Sequence, residues 1–307
     1  MRFEVFDGRR LATREQLADV ELAFLSVDYM GASSNPAANP ALASFLDALA
    51  NAPRLRWLQV CSAGVDRPEF QQLMARAVQI TTSTGANARA VAHTALAAAL
   101  AFAREVPLWV EAKAAHKWMP RRGIDSPRDF DGSRAVVVGL GQIGREIARL
   151  CRAFGMHVTG VRRQSAPIAE CDEIVSLDQL ALALPRTDWL FLACPLTEQT
   201  RGLVDGAMLD RLPVHVRVIN VARGSVVVEA DLARALREGT IAGAYSDVFS
   251  VEPLPADSPL WDAPNFLLSA HSAGLSQGFE ARTGAIFLHN LERWVRREPL
   301  CNPAIAQ

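Results

Sequence analysis

Short apolar, β-branched runs alternate along the chain with longer stretches of helical period. Arg2–Phe6, Leu22–Val27, Arg56–Val60 and Val78–Thr82 predict strands, and Ala41–Ala50, after Pro40, predicts a helix. Strands separated by helices imply a parallel sheet covered on both faces, so this stretch forms a first, small α/β unit. Asn87–Arg104 is alanine-rich and apolar nearly all round, which predicts a buried helix in which His93 is packed and hydrogen-bonded rather than catalytic. Pro107–Trp118 reads as a further helical stretch and Pro120–Asp131 as a loop. A second series of strands is expected at Val136–Val138, His157–Val161, Asp188–Ala193, Val216–Val221, Ile241–Val248 and Phe266–Ser269. An amphipathic helix over Gln277–Arg297 closes the chain.

The join between the two series carries the clearest motif. Val136–Val138 leads into Gly139, Gly141 and Gly144, and a helical pattern follows. Strand, glycine turn and helix, in that order, suit a dinucleotide site. Gly139 allows the sharp turn, Gly141 has no side chain to hold off a pyrophosphate, and Gly144 lets the helix lie close on its strand. The helix start then offers N–H groups and the positive end of its dipole to the phosphates.

About twenty positions on, NAD-binding units place an acidic residue that accepts hydrogen bonds from the ribose hydroxyls. Here Arg162 and Arg163 stand in that region, with no acid. Guanidinium groups pair with a 2′-phosphate where a carboxylate would repel it, so NADP(H) is the expected cofactor, with NAD(H) possible.

Polar groups follow several of the predicted strands, where a parallel sheet keeps its ligand site. Ala63, Gly64 and Val65 form a small-residue turn that can aim backbone N–H groups at an anion. Arg223, Glu252 and His271 each follow a strand of the second series. Together they supply what hydride reduction of a 2-oxo acid needs besides the cofactor. Arginine holds the carboxylate and polarises the carbonyl. Histidine, with a pKa near neutrality, protonates the developing alkoxide. Glutamate orients the imidazole and favours its charged form.

At 307 residues, half hydrophobic and with a net charge of −1, the chain has room for two domains and lacks the basic excess of a nucleic-acid or membrane-surface protein. Five cysteines, an odd number whose spacing resembles no metal site, read as reduced thiols, and no metal is expected. The first residues have no signal-peptide apolar region, and charges interrupt every long apolar stretch, so a cytoplasmic protein is expected.

These stretches resemble the D-isomer-specific 2-hydroxyacid dehydrogenase family, in its glyoxylate/hydroxypyruvate reductase-like branch. The resemblance rests on Val138-Gly139-Leu140-Gly141-Gln142-Ile143-Gly144, Pro195-Leu196-Thr197 with Thr200-Arg201, Asn220–Gly224, Asp247–Pro255 and His271–Gly274, in that order. It implies two doubly wound α/β domains: a Rossmann dinucleotide-binding domain (92–276) inserted in a flavodoxin-like substrate-binding domain (1–91 with 277–307). It implies that Arg223 binds the carboxylate and keto oxygen of a small 2-oxo acid, and that His271 is the acid/base with Glu252 as partner. It gives the backbone N–H groups of Ala63, Gly64 and Val65 the substrate carboxylate. Gln142 and Ile143 fall in the pyrophosphate turn, Pro195 lies against the cofactor, and Asp247 meets the nicotinamide carboxamide. It further implies a homodimer with Trp118 and Met119 near its interface. Trp57, Leu58 and Trp118 are candidates for lining the substrate pocket, with packing the expected role of Trp57 and Leu58. The competing reading is a non-catalytic regulatory protein that senses a dinucleotide on the same fold.

Overall fold

The computed structural model describes residues 5, 13–29, 39–65, 67–121, 126–163 and 166–304. Apart from Val5, the strand expected at Arg2–Phe6 lies outside them, as do Asp66, Gln164 and Ser165. The chain divides into two compact units, Met1–Asn87 with Ser276–Gln307 and Ala88–Leu275.

In the first unit, β1 (Leu22–Leu25), β2 (Trp57–Val60) and β3 (Gln79–Thr82) form a parallel sheet in that order. Helices Pro40–Ala50 and Pro68–Ala75 alternate with the strands. The first begins where Asn39 accepts a hydrogen bond from the Leu42 N–H and Pro40 supplies a preset φ. Trp57 and Leu58 are fully buried. Trp57 lies between Phe287 and Trp294 of the helix Phe279–Arg296, with centroids 5.7 and 5.5 Å away, and its Nε1 donates to Thr81. Both residues therefore pack the core. Gln59, buried in the same strand, has its amide used at both ends: Nε2 donates to Ser83 and the Val60 carbonyl, and Oε1 accepts from Thr81 and Asn290. A buried amide so satisfied fixes the register of helix on sheet at little cost.

The second unit is a seven-stranded parallel sheet. Its strands are β4 (Arg134–Val138), β5 (His157–Val161), β6 (Glu173–Val175), β7 (Trp189–Leu192), β8 (Arg217–Asn220), β9 (Gly243–Ser246) and β10 (Phe266–Leu268). They lie in the order β10-β9-β8-β7-β4-β5-β6. The chain winds outward from β4 to β6, then crosses back to β7, so the winding reverses between β4 and β7. Alternate residues of each strand feed opposite faces. Val136, Val138, Leu190, Leu192 and Val218 belong to one core cluster, and Ala135, Val137, Trp189, Phe191 and Ile219 to the other. Both faces are thus covered, as continuous apolar parallel strands require.

The alanine-rich helix spans Ala88–Ala103. Val91, Ala92, Ala95, Leu96, Ala99 and Phe102 enter the core against Ile147, Ala148 and Cys151 of the helix Gln142–Ala153. Arg89, His93 and Ala97, four residues apart, are exposed. His93 is therefore a surface residue and not the packed one expected. Alanine contributes so little contrast that the sequence pattern hides which face is out. Among the described residues, no single helix is long and apolar enough to cross a membrane, and no cluster of His, Cys, Asp or Glu could hold a metal ion.

Candidate active site

The glycine turn sits at the carboxyl end of β4, where the winding reverses. Gly139 has φ +90°, open to glycine and strained for other residues, and a Cβ there would press on the Cys194 backbone. A Cβ on Gly144 would collide with the Gly139 carbonyl. A Cβ on Gly141 would meet nothing within 4 Å. The outer glycines are thus required by the chain's own packing, and the middle one is not. The Gln142–Ala153 helix begins at Gly141 with no side-chain cap and no acid in its first turn. Its leading N–H groups and the open space over Gly141 suit a pyrophosphate. Gln142 is exposed and Ile143 half-buried.

Arg162 and Arg163 leave the end of β5, the strand beside β4, where Arg162 N–H donates to the Val175 carbonyl. Arg163 is exposed and Arg162 half-buried. Pro195 is exposed beyond β7; its carbonyl accepts from the buried Thr200 hydroxyl, which also accepts from the Thr197 N–H.

Arg223, Glu252 and His271 follow β8, β9 and β10, three neighbouring strands. The Asn220 side chain bridges the Arg223 loop, accepting from Ala222 N–H and donating to the Arg223 carbonyl. Arg223 is half-buried, with Nη1 donating to the Ala222 carbonyl. Gly224 lies so close to the Phe249–Ser250 backbone that a Cβ would overlap it. This close approach brings the Arg223 loop beside the loop carrying Glu252. Glu229 holds the same loop by accepting from Ser250 N–H at 2.6 Å. Asn220, Gly224 and Glu229 had no individual role in the sequence reading. Their contacts cross 2 to 26 residues of chain, and only the Asn220–Gly224 motif hinted at two of them.

His271 Nδ1 lies 2.7 Å from Glu252 Oε2. The other carboxylate oxygen accepts from Phe249 N–H at 2.9 Å. Partial burial alone would push the Glu252 pKa up. The His271 hydrogen bond, the Phe249 N–H and the charges of His271 and Arg223 outweigh it, leaving the carboxyl below its ordinary range. With Nδ1 engaged by Glu252, Nε2 is the imidazole atom left to face a reactant. His271 has φ +49°, a left-handed conformation that costs a non-glycine residue about 1 to 3 kcal/mol.

Asp247 is buried at the end of β9. Its backbone carbonyl accepts from His271 N–H at 2.8 Å, and its Oδ1 accepts from Ser272 N–H, Ala273 N–H and the Ser269 hydroxyl. Burial nonetheless raises its pKa above the ordinary value, against those donors and the His271 charge. In the first unit, the Ala63–Gly64–Val65 turn is shaped by Ser62, whose hydroxyl donates to the Gly64 carbonyl, and by Gln71, which donates to the Val65 carbonyl. Ala63 is exposed and Val65 buried.

A family model for the D-isomer specific 2-hydroxyacid dehydrogenase NAD binding domain matches residues 96–273, more than half of the chain. A glyoxylate reductase of Korarchaeum cryptofilum is 32% identical over 254 residues, 80% of this chain and 75% of that protein. A D-3-phosphoglycerate dehydrogenase of Mycobacterium bovis is 32% identical over 241 residues, 78% of this chain but 44% of that longer protein. The crystal structure of a D-isomer specific 2-hydroxyacid dehydrogenase from Xanthobacter autotrophicus, in complex with NADPH and MES, superposes with a TM-score of 0.75. It is 30% identical, and the match covers 94% of this chain and 85% of that one. Agreement of this extent in sequence and fold makes the chain a member of the D-isomer-specific 2-hydroxyacid dehydrogenase family, with a Rossmann domain for a nicotinamide dinucleotide.

Proposed function

We propose that the chain is an NADPH-preferring reductase of small 2-oxo acids, of glyoxylate or hydroxypyruvate type, yielding D-2-hydroxy acids. The observation that carries this reading is the 2.7 Å contact of His271 Nδ1 with Glu252, beside the loop of Arg223. The nicotinamide cofactor, when bound, supplies the hydride. Arg223 binds the substrate carboxylate and draws electron density from the keto oxygen through its guanidinium. His271, charged and held at Nδ1 by Glu252, gives the Nε2 proton to the developing alkoxide. In the oxidative direction the neutral imidazole takes the hydroxyl proton back. The Ala63–Gly64–Val65 turn offers backbone N–H groups to a carboxylate. Gly139, Gly141, Gln142, Ile143 and Gly144 form the pyrophosphate turn, Pro195 lies against the cofactor, and Asp247 serves the carboxamide. Arg162 and Arg163, at the end of β5, favour a 2′-phosphate.

The test is steady-state reduction of glyoxylate, hydroxypyruvate, phosphohydroxypyruvate, pyruvate and phenylpyruvate, with NADPH and NADH side by side. Turnover favouring NADPH with an unphosphorylated small acid is expected. Preference for phosphohydroxypyruvate would overturn the substrate class, and preference for NADH the cofactor. No turnover in protein that binds NADPH would favour a dinucleotide sensor.

A further inference from the structure

Two hydroxyl groups behind the site have no part in the chemistry described above. Ser269 Oγ donates to Asp247 Oδ1 at 2.5 Å, and Tyr245 Oη lies 2.6 Å from Ser269 Oγ. An ionised carboxylate has no proton to give, and serine has one. The serine proton therefore points to Asp247, and Tyr245 donates to Ser269. The chain of donors runs one way, from Tyr245 through Ser269 to Asp247. Tyr245 is suited to that task, since burial pushes its phenol up to about 12 and keeps it protonated.

At its far end Asp247 is the hub of the His271 turn. Three successive N–H groups, of His271, Ser272 and Ala273, converge on its carbonyl and carboxylate. The Ser272 and Ala273 N–H groups, the two on the carboxylate, are held by its negative charge, while the His271 N–H is tied to the backbone carbonyl of the same residue. The left-handed His271 must be fixed by its surroundings, because its own preference is elsewhere. Among the described residues, the ionisable groups acting on Asp247 are His271, from the turn after β10, and Tyr245, on β9 itself.

We propose that Tyr245 and Ser269 are positioning residues. Their hydroxyl chain keeps Asp247 an ionised carboxylate, around which the His271 turn is wound, and thereby holds the imidazole against Glu252. The proposal rests on His271 being the proton donor, as read above.

The experiment compares Tyr245→Phe, Ser269→Ala, Ser269→Thr and His271→Ala in the full chain, with pH profiles of kcat using NADPH and the best 2-oxo acid. Removing a donor from a carboxylate lets it protonate at higher pH, so the acid limb of the profile moves upward in Tyr245→Phe and Ser269→Ala. Ser269→Ala lowers kcat about tenfold and Tyr245→Phe about threefold, while Ser269→Thr, which retains the hydroxyl, restores both rate and profile. If Ser269→Ala does not fold, Tyr245→Phe carries the test alone. Wild-type rates and profiles in Tyr245→Phe and Ser269→Ala, beside an inactive His271→Ala, overturn the positioning role alone. A fall in kcat with an unmoved acid limb also overturns it. A His271→Ala variant as active as wild type overturns the proton-donor reading, and this proposal with it.

Discussion

Nδ1 of His271 and Oε2 of Glu252 lie 2.7 Å apart, although 19 residues separate them and they follow different strands. Their pairing leaves Nε2 as the imidazole atom that transfers the proton in the proposed reaction. His271→Ala should therefore lower kcat by roughly 10²–10⁴-fold, the usual worth of a positioned general acid. Cofactor affinity, followed by quenching of protein fluorescence on NADPH titration, should stay unchanged. Turnover comparable to wild type would remove His271 from the reaction.

Glu252 gives a pH-dependent signature. Its pKa is held below the ordinary carboxyl range, so in the folded protein it stays ionised to lower pH than in the unfolded chain. The stability it contributes is present above its unfolded value and is lost as pH falls through the folded one. The melting temperature of wild type should accordingly exceed that of Glu252→Gln by a constant amount at neutral pH. The gap should close below about pH 4, near the reference carboxyl range.

The arginine pair is tested by selectivity rather than by rate. Replacing Arg162 and Arg163 by Ser removes the guanidinium groups from the end of β5, beside the glycine turn. The KM for NADPH should rise about tenfold or more, the order expected for lost charge-assisted hydrogen bonds, while the KM for NADH hardly changes. Equal loss with both cofactors would assign the arginines to general binding.

Much of this site is legible in the sequence because it lies at strand ends. The β-branched run before Gly139 announces β4, and Arg223, Glu252 and His271 each follow a segment whose pattern predicts a strand. The seven-strand sheet shows one clear omission, β6. It is three residues long, lies at the edge, and carries Glu173, so it has no apolar alternation to read. What holds the site was harder to see, for a different reason. Asn220 shapes the Arg223 loop, Gly224 lets two loops touch, and Asp247 gathers the N–H groups of the His271 turn. None of these contacts has a period. They join segments that only the folded sheet brings together, and the left-handed backbone of His271 appears in no composition or pattern.

The glycines of the turn separate packing from binding within one motif. A methyl group at position 144 would collide with the Gly139 carbonyl, where helix lies on strand. Gly144→Ala should therefore lower the melting temperature by several degrees, since overpacking costs about 1 to 3 kcal/mol. A methyl group at position 141 meets no atom of the chain within 4 Å, and φ there is −72°, ordinary for alanine. Gly141→Ala should fold and melt as wild type does. Its methyl would, however, occupy the space over the uncapped helix start where a pyrophosphate must come close to the backbone N–H groups. NADPH affinity should then fall at least tenfold, measured by titration calorimetry on protein of unchanged melting temperature. A Gly141→Ala variant that binds NADPH as tightly as wild type would move the pyrophosphate away from this turn, whatever the fate of Gly144→Ala.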